Sequence, residues 1–161
     1  MRLGGIDIGT LTCRLLVAEV KPPHEYAELE TDRRILRLGE GVDADKRLSS
    51  NAMDRVVETL VEWKEKLAGQ PLDGMVVVAT SAVRESKNQL EFLSRIRQET
   101  GWEVEVLTGE EEARRTLLGI QYGLPPSVTS FVGLDIGGGS TECMLLQERQ
   151  QWHIFRNNGL H

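Results

Sequence analysis

The segment GIDIGTLTCRLLVAEV at residues 5–20 returns as GLDIGGGSTECMLLQE at residues 133–148, and this internal echo decides the fold. In each copy an apolar run ends in Asp-Ile-Gly, small or hydroxylated residues follow, and a second apolar run begins, which is the pattern of strand, tight turn and strand. Asp7 and Asp135 hold the same place in the two copies, 135 − 7 = 128 residues apart. Each copy reads as a β-hairpin with a carboxylate at its mouth.

Working outward from the first hairpin, residues 25–38 read as a third, irregular strand that ends where Gly39 and Gly41 break the pattern. A helix follows. Ser49, Ser50 and Asn51 offer caps, Met53, Val56, Val57, Leu60, Val61, Lys64 and Leu67 recur at helical spacing, and Gly69 with Pro71 closes the segment. The apolar run 75–79 reads as a central strand buried on both faces, and residues 80–87 as the loop after it. Asn88 with Glu91 reads as a capping box for a helix through Leu90, Leu93 and Ile96 that stops near Gly101. Residues 104–107 give another short strand. Thr108 with Glu111 is a second capping box, opening a helix through Ala113, Leu117 and Ile120 that ends at Gly123, Pro125 and Pro126.

This order makes one α/β domain over residues 1–124, after which strands restart near Ser130. Residues 125–161 then read as the opening strands of an incomplete second domain. About three strands with no helix to cover them are marginal alone. The expectation is a fragment of a longer protein, or one that borrows cover from a partner. Such uncovered strands also predict a homodimer or other self-association.

Of the 161 residues, 40% are hydrophobic and 27% charged, within the range of globular proteins. The net charge of −6 and the pI near 5.2 argue against coating nucleic acid or an anionic membrane through a general positive field. A polyanion must instead be gripped locally, by backbone N–H groups, a few arginines and a bound cation. Cys13 and Cys143 are the only cysteines and stand in no zinc spacing. No apolar run approaches membrane-spanning length. The reading is a cytoplasmic protein with no nucleic-acid or membrane partner.

A turn of Gly, Ser and Thr lets N–H groups converge on a phosphate oxygen without side-chain obstruction. Gly137, Gly138, Gly139, Ser140 and Thr141 meet that need, and Gly9, Thr10 and Thr12 repeat it. Tight hairpin turns alone would use the same residues, and the duplication is what favours a ligand. Two such hairpins, one per domain, could hold a phosphate chain with a hard cation such as Mg²⁺ between Asp7 and Asp135. The alternative is that each aspartate caps its turn. Glu110, Glu111 and Glu112 begin a helix, where acidic residues complement the macrodipole. One of them could also take a proton from attacking water.

Four segments, DIGTLTCRLLVA (7–18), ATSAVRESKN (79–88), LTGEEEARRTLLG (107–119) and DIGGGSTE (135–142), occur together and in order. In this the chain resembles the exopolyphosphatase and guanosine pentaphosphate phosphohydrolase (Ppx/GppA) family. The resemblance implies an α/β, ribonuclease H-like (actin-like ATPase) domain with a mixed five-stranded sheet, plus the first strands of a second similar domain. It implies metal-assisted hydrolysis of terminal phosphoanhydride bonds in inorganic polyphosphate or guanosine pentaphosphate, with Mg²⁺ or another divalent cation as cofactor. Guanosine tetraphosphate is the further ligand it suggests.

Carried over residue by residue, the resemblance makes Glu112 the catalytic base and leaves capping to Glu110 and Glu111. Glu142 becomes a second carboxylate that positions metal or water, alongside Asp7 and Asp135, and Arg84 the phosphate-contacting arginine. Arg84 read alone is equally a surface salt-bridge residue, and Asn88 is left as a cap. The family's first loop usually reads Gly-Ser-Asn-Ser, whereas residues 9–12 are Gly-Thr-Leu-Thr. Leu11 cannot donate a hydrogen bond to phosphate, so affinity or preference is expected to differ. A non-catalytic phosphate or nucleotide sensor and an actin-like kinase are the competing functions, separated by whether phosphate is retained, released or transferred.

Overall fold

The computed structural model describes residues 1–21, 25–148 and 151–157. In chain order come β1 (Arg2–Ile8), β2 (Thr12–Lys21), β3 (Glu25–Ile35), the single turn α1 (Val42–Asp45), α2 (Ser50–Leu67) and β4 (Gly74–Ala79). Then follow the short turn α3 (Ser81–Arg84), α4 (Gln89–Thr100), β5 (Val104–Val106), α5 (Gly109–Gly123), β6 (Phe131–Ile136), β7 (Thr141–Gln147) and β8 (Gln151–Asn157). They form two compact units, Met1–Val106 and Leu107–His161. No helix among the described residues is long and apolar enough to cross a membrane.

The first unit holds a mixed five-stranded sheet in the order β3-β2-β1-β4-β5. The hairpin makes β1 and β2 antiparallel, with Asp7 opposite Arg14 and Ile8 opposite Cys13. β1 and β4 run parallel, as do β4 and β5, so α2 and α4 are their crossover connections. One face of the sheet, carrying Ile6, Ile8, Leu15, Val17 and Val77, packs with Met53, Val56, Leu60 and Trp63 of α2 and Phe92 and Ile96 of α4. Each large apolar side chain removed from water there contributes about 1.5–3 kcal/mol.

The helix ends follow local chemistry. Ser49 caps α2 by accepting from the Ala52 N–H at 3.3 Å, and Lys64 and Lys66 sit in its last turn, where positive charge suits the dipole. Gly101, at φ +74°, closes α4 in the left-handed region that glycine enters at low cost.

Four details differ from the sequence reading. The third strand ends at Ile35 rather than 38, because Leu38 turns inward to become part of the core. β4 is not buried on both faces: Val76 is 51% exposed. Leu90 lies on the solvent side of α4 at 80% exposure, and Phe92 takes the core position instead. Asn88 makes no capping bond. Its amide reaches the other way, accepting from the Leu48 N–H at 2.8 Å and donating to the Leu48 carbonyl at 3.0 Å.

In the second unit β6, β7 and β8 form an antiparallel sheet in sequence order. The sequence reading placed the 109–123 helix in a first domain ending at 124 and left the later strands bare. α5 instead covers one face of this sheet, because its apolar stripe of Ala113, Leu117 and Ile120 meets Met144, Leu146 and Phe131. The opposite face stays open, with Val132, Leu134 and Ile136 at 63%, 64% and 77% exposure.

Candidate active site

The two turns share one geometry. In the first, the Gly9 N–H donates to the Thr12 carbonyl at 3.0 Å, and in the second the Gly137 N–H donates to the Ser140 carbonyl at 3.0 Å. Neither tolerates a side chain at its first position without movement. A β-carbon on Gly9 would stand 2.9 Å from the Thr12 carbonyl oxygen, and one on Gly137 would stand 3.3 Å from that of Ser140. The repeat seen in the sequence is thus a repeat of backbone structure.

In the first unit this turn is tied to two neighbours. The Leu11 carbonyl accepts from the N–H groups of Leu36 and Arg37, both at 3.0 Å, and the Thr10 carbonyl accepts from Gly39 at 2.9 Å. Gly39 has to be glycine, since a β-carbon there would overlap Thr10 Cγ2. The Thr10 hydroxyl also shares a 2.7 Å hydrogen bond with Ser81, the first residue of α3. That bond docks α3, and with it Arg84, against the turn at the carboxyl ends of the parallel strands β1 and β4, where α/β sheets place ligands. The Arg84 side chain is 18% exposed and approaches Glu85 at 4.0 Å. Lys87 N–H to Lys46 carbonyl, at 2.6 Å, and the Asn88 bonds to Leu48 pin the far side of the same segment. Asp7, Gly9, Thr10, Thr12 and Arg84 are therefore gathered in one unit. Leu11 is 44% exposed and presents no donor.

Burial pushes the Cys13 thiol up to about 12, with the negative charge of Asp7 adding to the effect. It stays protonated at neutral pH and is no nucleophile.

In the second unit, the three glutamates of α5 separate by role. Glu111 completes the capping box: its carboxylate accepts from the Thr108 N–H at 3.0 Å and from its hydroxyl at 2.9 Å, while the Glu111 N–H donates to Thr108 Oγ1 at 3.2 Å. The Thr108 backbone bond, then its hydroxyl, hold the Glu111 carboxyl below the usual range. Glu110 is exposed and makes no capping bond among the described residues, so capping falls to Glu111 alone. Glu112 is half-buried.

The register of α5 on β6 is set by two contacts. Thr116 Oγ1 donates to Asp135 Oδ2 at 3.3 Å. Four residues on, Ile120 lies so close to the strand that a β-carbon on Gly133 would be 3.0 Å from its Cδ1. Four helical residues advance about 6 Å and two antiparallel strand residues about 6.8 Å, so helix and strand keep step in opposite directions. Glu112, four residues before Thr116, lies on the same side of α5 as Thr116. Asp135 pairs directly with Glu142 across the ladder, and their side chains share the face under α5. Glu142 is 1% exposed.

Asp135 and Glu142 as cross-strand neighbours, with β-carbons about 4.5–5.5 Å apart, suit a hard cation. Mg²⁺ commonly takes one or two protein carboxylates and completes its shell with water and phosphate oxygens. No group of three His, Cys, Asp or Glu that could hold a metal ion gathers among the described residues.

Two residues escaped the sequence reading. Arg14 stands opposite Asp7 as Glu142 stands opposite Asp135; aligning the repeats at their offset of 128 would have shown it. Thr116 was the other, a polar residue one turn after Glu112 on the apolar stripe of α5.

Comparison with known proteins places the chain in a family. Exopolyphosphatase 1 of Mycobacterium tuberculosis is 34% identical over 142 residues, covering 88% of this chain and 41% of that protein. The crystal structure of the Aquifex aeolicus member of the Ppx/GppA family superimposes with a TM-score of 0.84 at 32% identity, over 98% of this chain and 51% of that one. An exopolyphosphatase from Cytophaga hutchinsonii gives 0.87 at 29% identity, over 99% and 51%. The chain thus spans about half the length of these relatives or less, and shares their actin-like ATPase fold over that part. With the profile of the Ppx/GppA phosphatase family matching residues 16–155, from within β2 to within β8, this chain belongs to the Ppx/GppA phosphatase family.

Proposed function

We propose that the protein to which this sequence belongs hydrolyses terminal phosphoanhydride bonds, with inorganic polyphosphate as substrate and guanosine pentaphosphate as a second substrate of the same chemistry. The observation that supports this reading is the contact of α5 with β6 through Thr116 and Asp135, with Glu142 on the same face as Asp135 and Glu112 one helical turn before Thr116 on the same side of α5.

With no side chains at Gly137, Gly138 and Gly139 to obstruct it, the turn binds oxygens of the terminal phosphoryl group through the Gly138 and Gly139 N–H groups, and the Ser140 and Thr141 hydroxyls add donors. Glu112 orients a water and accepts its proton as the water oxygen bonds to phosphorus; the bond from phosphorus to the bridging oxygen breaks and the shortened chain leaves. A divalent cation, held by Asp135 and Glu142, supplies positive charge for the phosphate oxygens when bound. Gly9, Thr10, Thr12 and Arg84 form a second phosphate-binding set, Arg84 being the guanidinium suited to gripping two oxygens at once, and Asp7 beside them is a further candidate carboxylate for the cation.

Incubating the intact protein with long-chain polyphosphate and Mg²⁺ should release inorganic phosphate from chain ends. Tight binding with no release would make it a sensor, and transfer of phosphate from ATP to an acceptor would make it a kinase. The open apolar face at Val132, Leu134 and Ile136 supports self-association of the 161-residue chain. A monomer by sedimentation at high concentration would contradict that part.

A further inference from the structure

Among the described residues, three threonines make side-chain hydrogen bonds from within long helices, and they do not behave alike. Thr59 and Thr100 donate back to the carbonyls four residues earlier, Arg55 at 2.9 Å and Ile96 at 2.7 Å, the ordinary outlet for a helical hydroxyl. Thr116 has the same outlet at the Glu112 carbonyl, yet its hydroxyl points off the helix and donates to Asp135 Oδ2.

That cross-element bond has structural support. Gly133 lies two residues from Asp135 on the same face of β6, and its missing side chain is what lets Ile120 sit down on the strand. A larger residue there would lift α5 where Thr116 reaches Asp135. Asp135 is half-buried, and among the described residues the Thr116 hydroxyl is the one hydrogen-bond donor to its carboxylate, through Oδ2. An aspartate side chain otherwise turns about χ1 and χ2, so one fixed oxygen determines where the other points.

We infer that Thr116 is a positioning residue: its hydroxyl holds Oδ2 of Asp135 so that Oδ1 is presented to the divalent cation, and it ties cation binding to the helix that carries Glu112. This rests on the reading of Asp135 as a cation ligand. The role is the one that hydrogen-bond partners of metal-binding carboxylates commonly fill, orienting the ligand without touching the ion. A hydroxyl in this place is a matter of chemistry and not bulk. Valine keeps the shape and the β-branch but cannot donate, whereas serine can.

The experiment titrates Mn²⁺ into the intact protein and reads free Mn²⁺ by electron paramagnetic resonance, for wild type, Thr116→Val, Thr116→Ser and Asp135→Asn, with thermal unfolding as the control for folding. Thr116→Val should weaken Mn²⁺ binding by about 10–100-fold while Thr116→Ser stays near wild type. Thr116→Ala serves in place of valine if the latter unfolds. Wild-type affinity in Thr116→Val, or in Thr116→Ala, together with weak binding in Asp135→Asn overturns the positioning role and leaves the cation site standing. Unchanged binding in Asp135→Asn overturns the cation reading itself, and this inference with it.

Discussion

Glu111 and Glu112 are adjacent and chemically identical, and what distinguishes them is where the helix points them. Glu111 faces back toward Thr108 and is held by two hydrogen bonds in the capping box; Glu112 lies on the stripe that turns toward β6. Asp32 shows the same dependence on surroundings in a residue remote from the turns. Its Oδ2 accepts from Trp63 Nε1 at 2.8 Å and from Arg34 at 3.3 and 3.4 Å, and the indole bond first, then the arginine, hold its carboxyl below the ordinary 3.8. A carboxyl lowered by folding stabilises the native state fully above its unfolded value, near 3.9, and that contribution is lost as the pH falls through the folded value. Denaturant unfolding at pH 7 and pH 3 should therefore show a smaller acid loss of stability in Asp32→Asn than in wild type. Parallel losses would mean that the Trp63 bond does not discriminate the ionised form.

At the scale of elements, the parts legible in the sequence are those fixed by local chemistry. The two hairpins follow from Asp-Ile-Gly turns whose first glycine leaves too little room for a β-carbon unless the backbone shifts. The capping box at Thr108 and the stop at Gly101 follow from side-chain acceptors and a left-handed backbone. What escaped were choices made by distant partners. Asn88 looks like a helix cap, but the buried backbone of Leu48, 40 residues away, is the stronger claimant on its amide; unpaired groups there would cost about 1–3 kcal/mol each. Leu90 and Phe92 were two residues apart in a short helix, and only the shape of the core decides which is inside. The partner of α5 was illegible for the same reason: Ala113, Leu117 and Ile120 announce an apolar stripe but not the sheet that receives it. Of the site, Asp135 stood out by repetition and Glu142 through the family resemblance, whereas Thr116 depends on a helix-to-strand register that no local pattern encodes.

At the scale of the whole molecule, each compact unit contributes one copy of the turn, and the second also contributes the helix with Glu112. The repetition is not a symmetry of charge. The strand after the first turn carries Arg14 where the strand after the second carries Glu142, so the first hairpin pairs a carboxylate with a guanidinium and the second pairs two carboxylates. On the proposed function the first hairpin offers phosphate donors with Asp7 as a candidate cation ligand, and the second offers phosphate donors with Asp135 and Glu142. The relatives compared above are about twice as long as this chain. The account stands most directly on Glu112, and the measurement that tests it is steady-state phosphate release from polyphosphate by the intact protein carrying Glu112→Gln, beside polyphosphate binding by the same variant. The account predicts that kcat falls by about 10²–10⁴-fold, the contribution of a general base, with binding unchanged. A kcat near that of the wild type, in a folded variant, would contradict it.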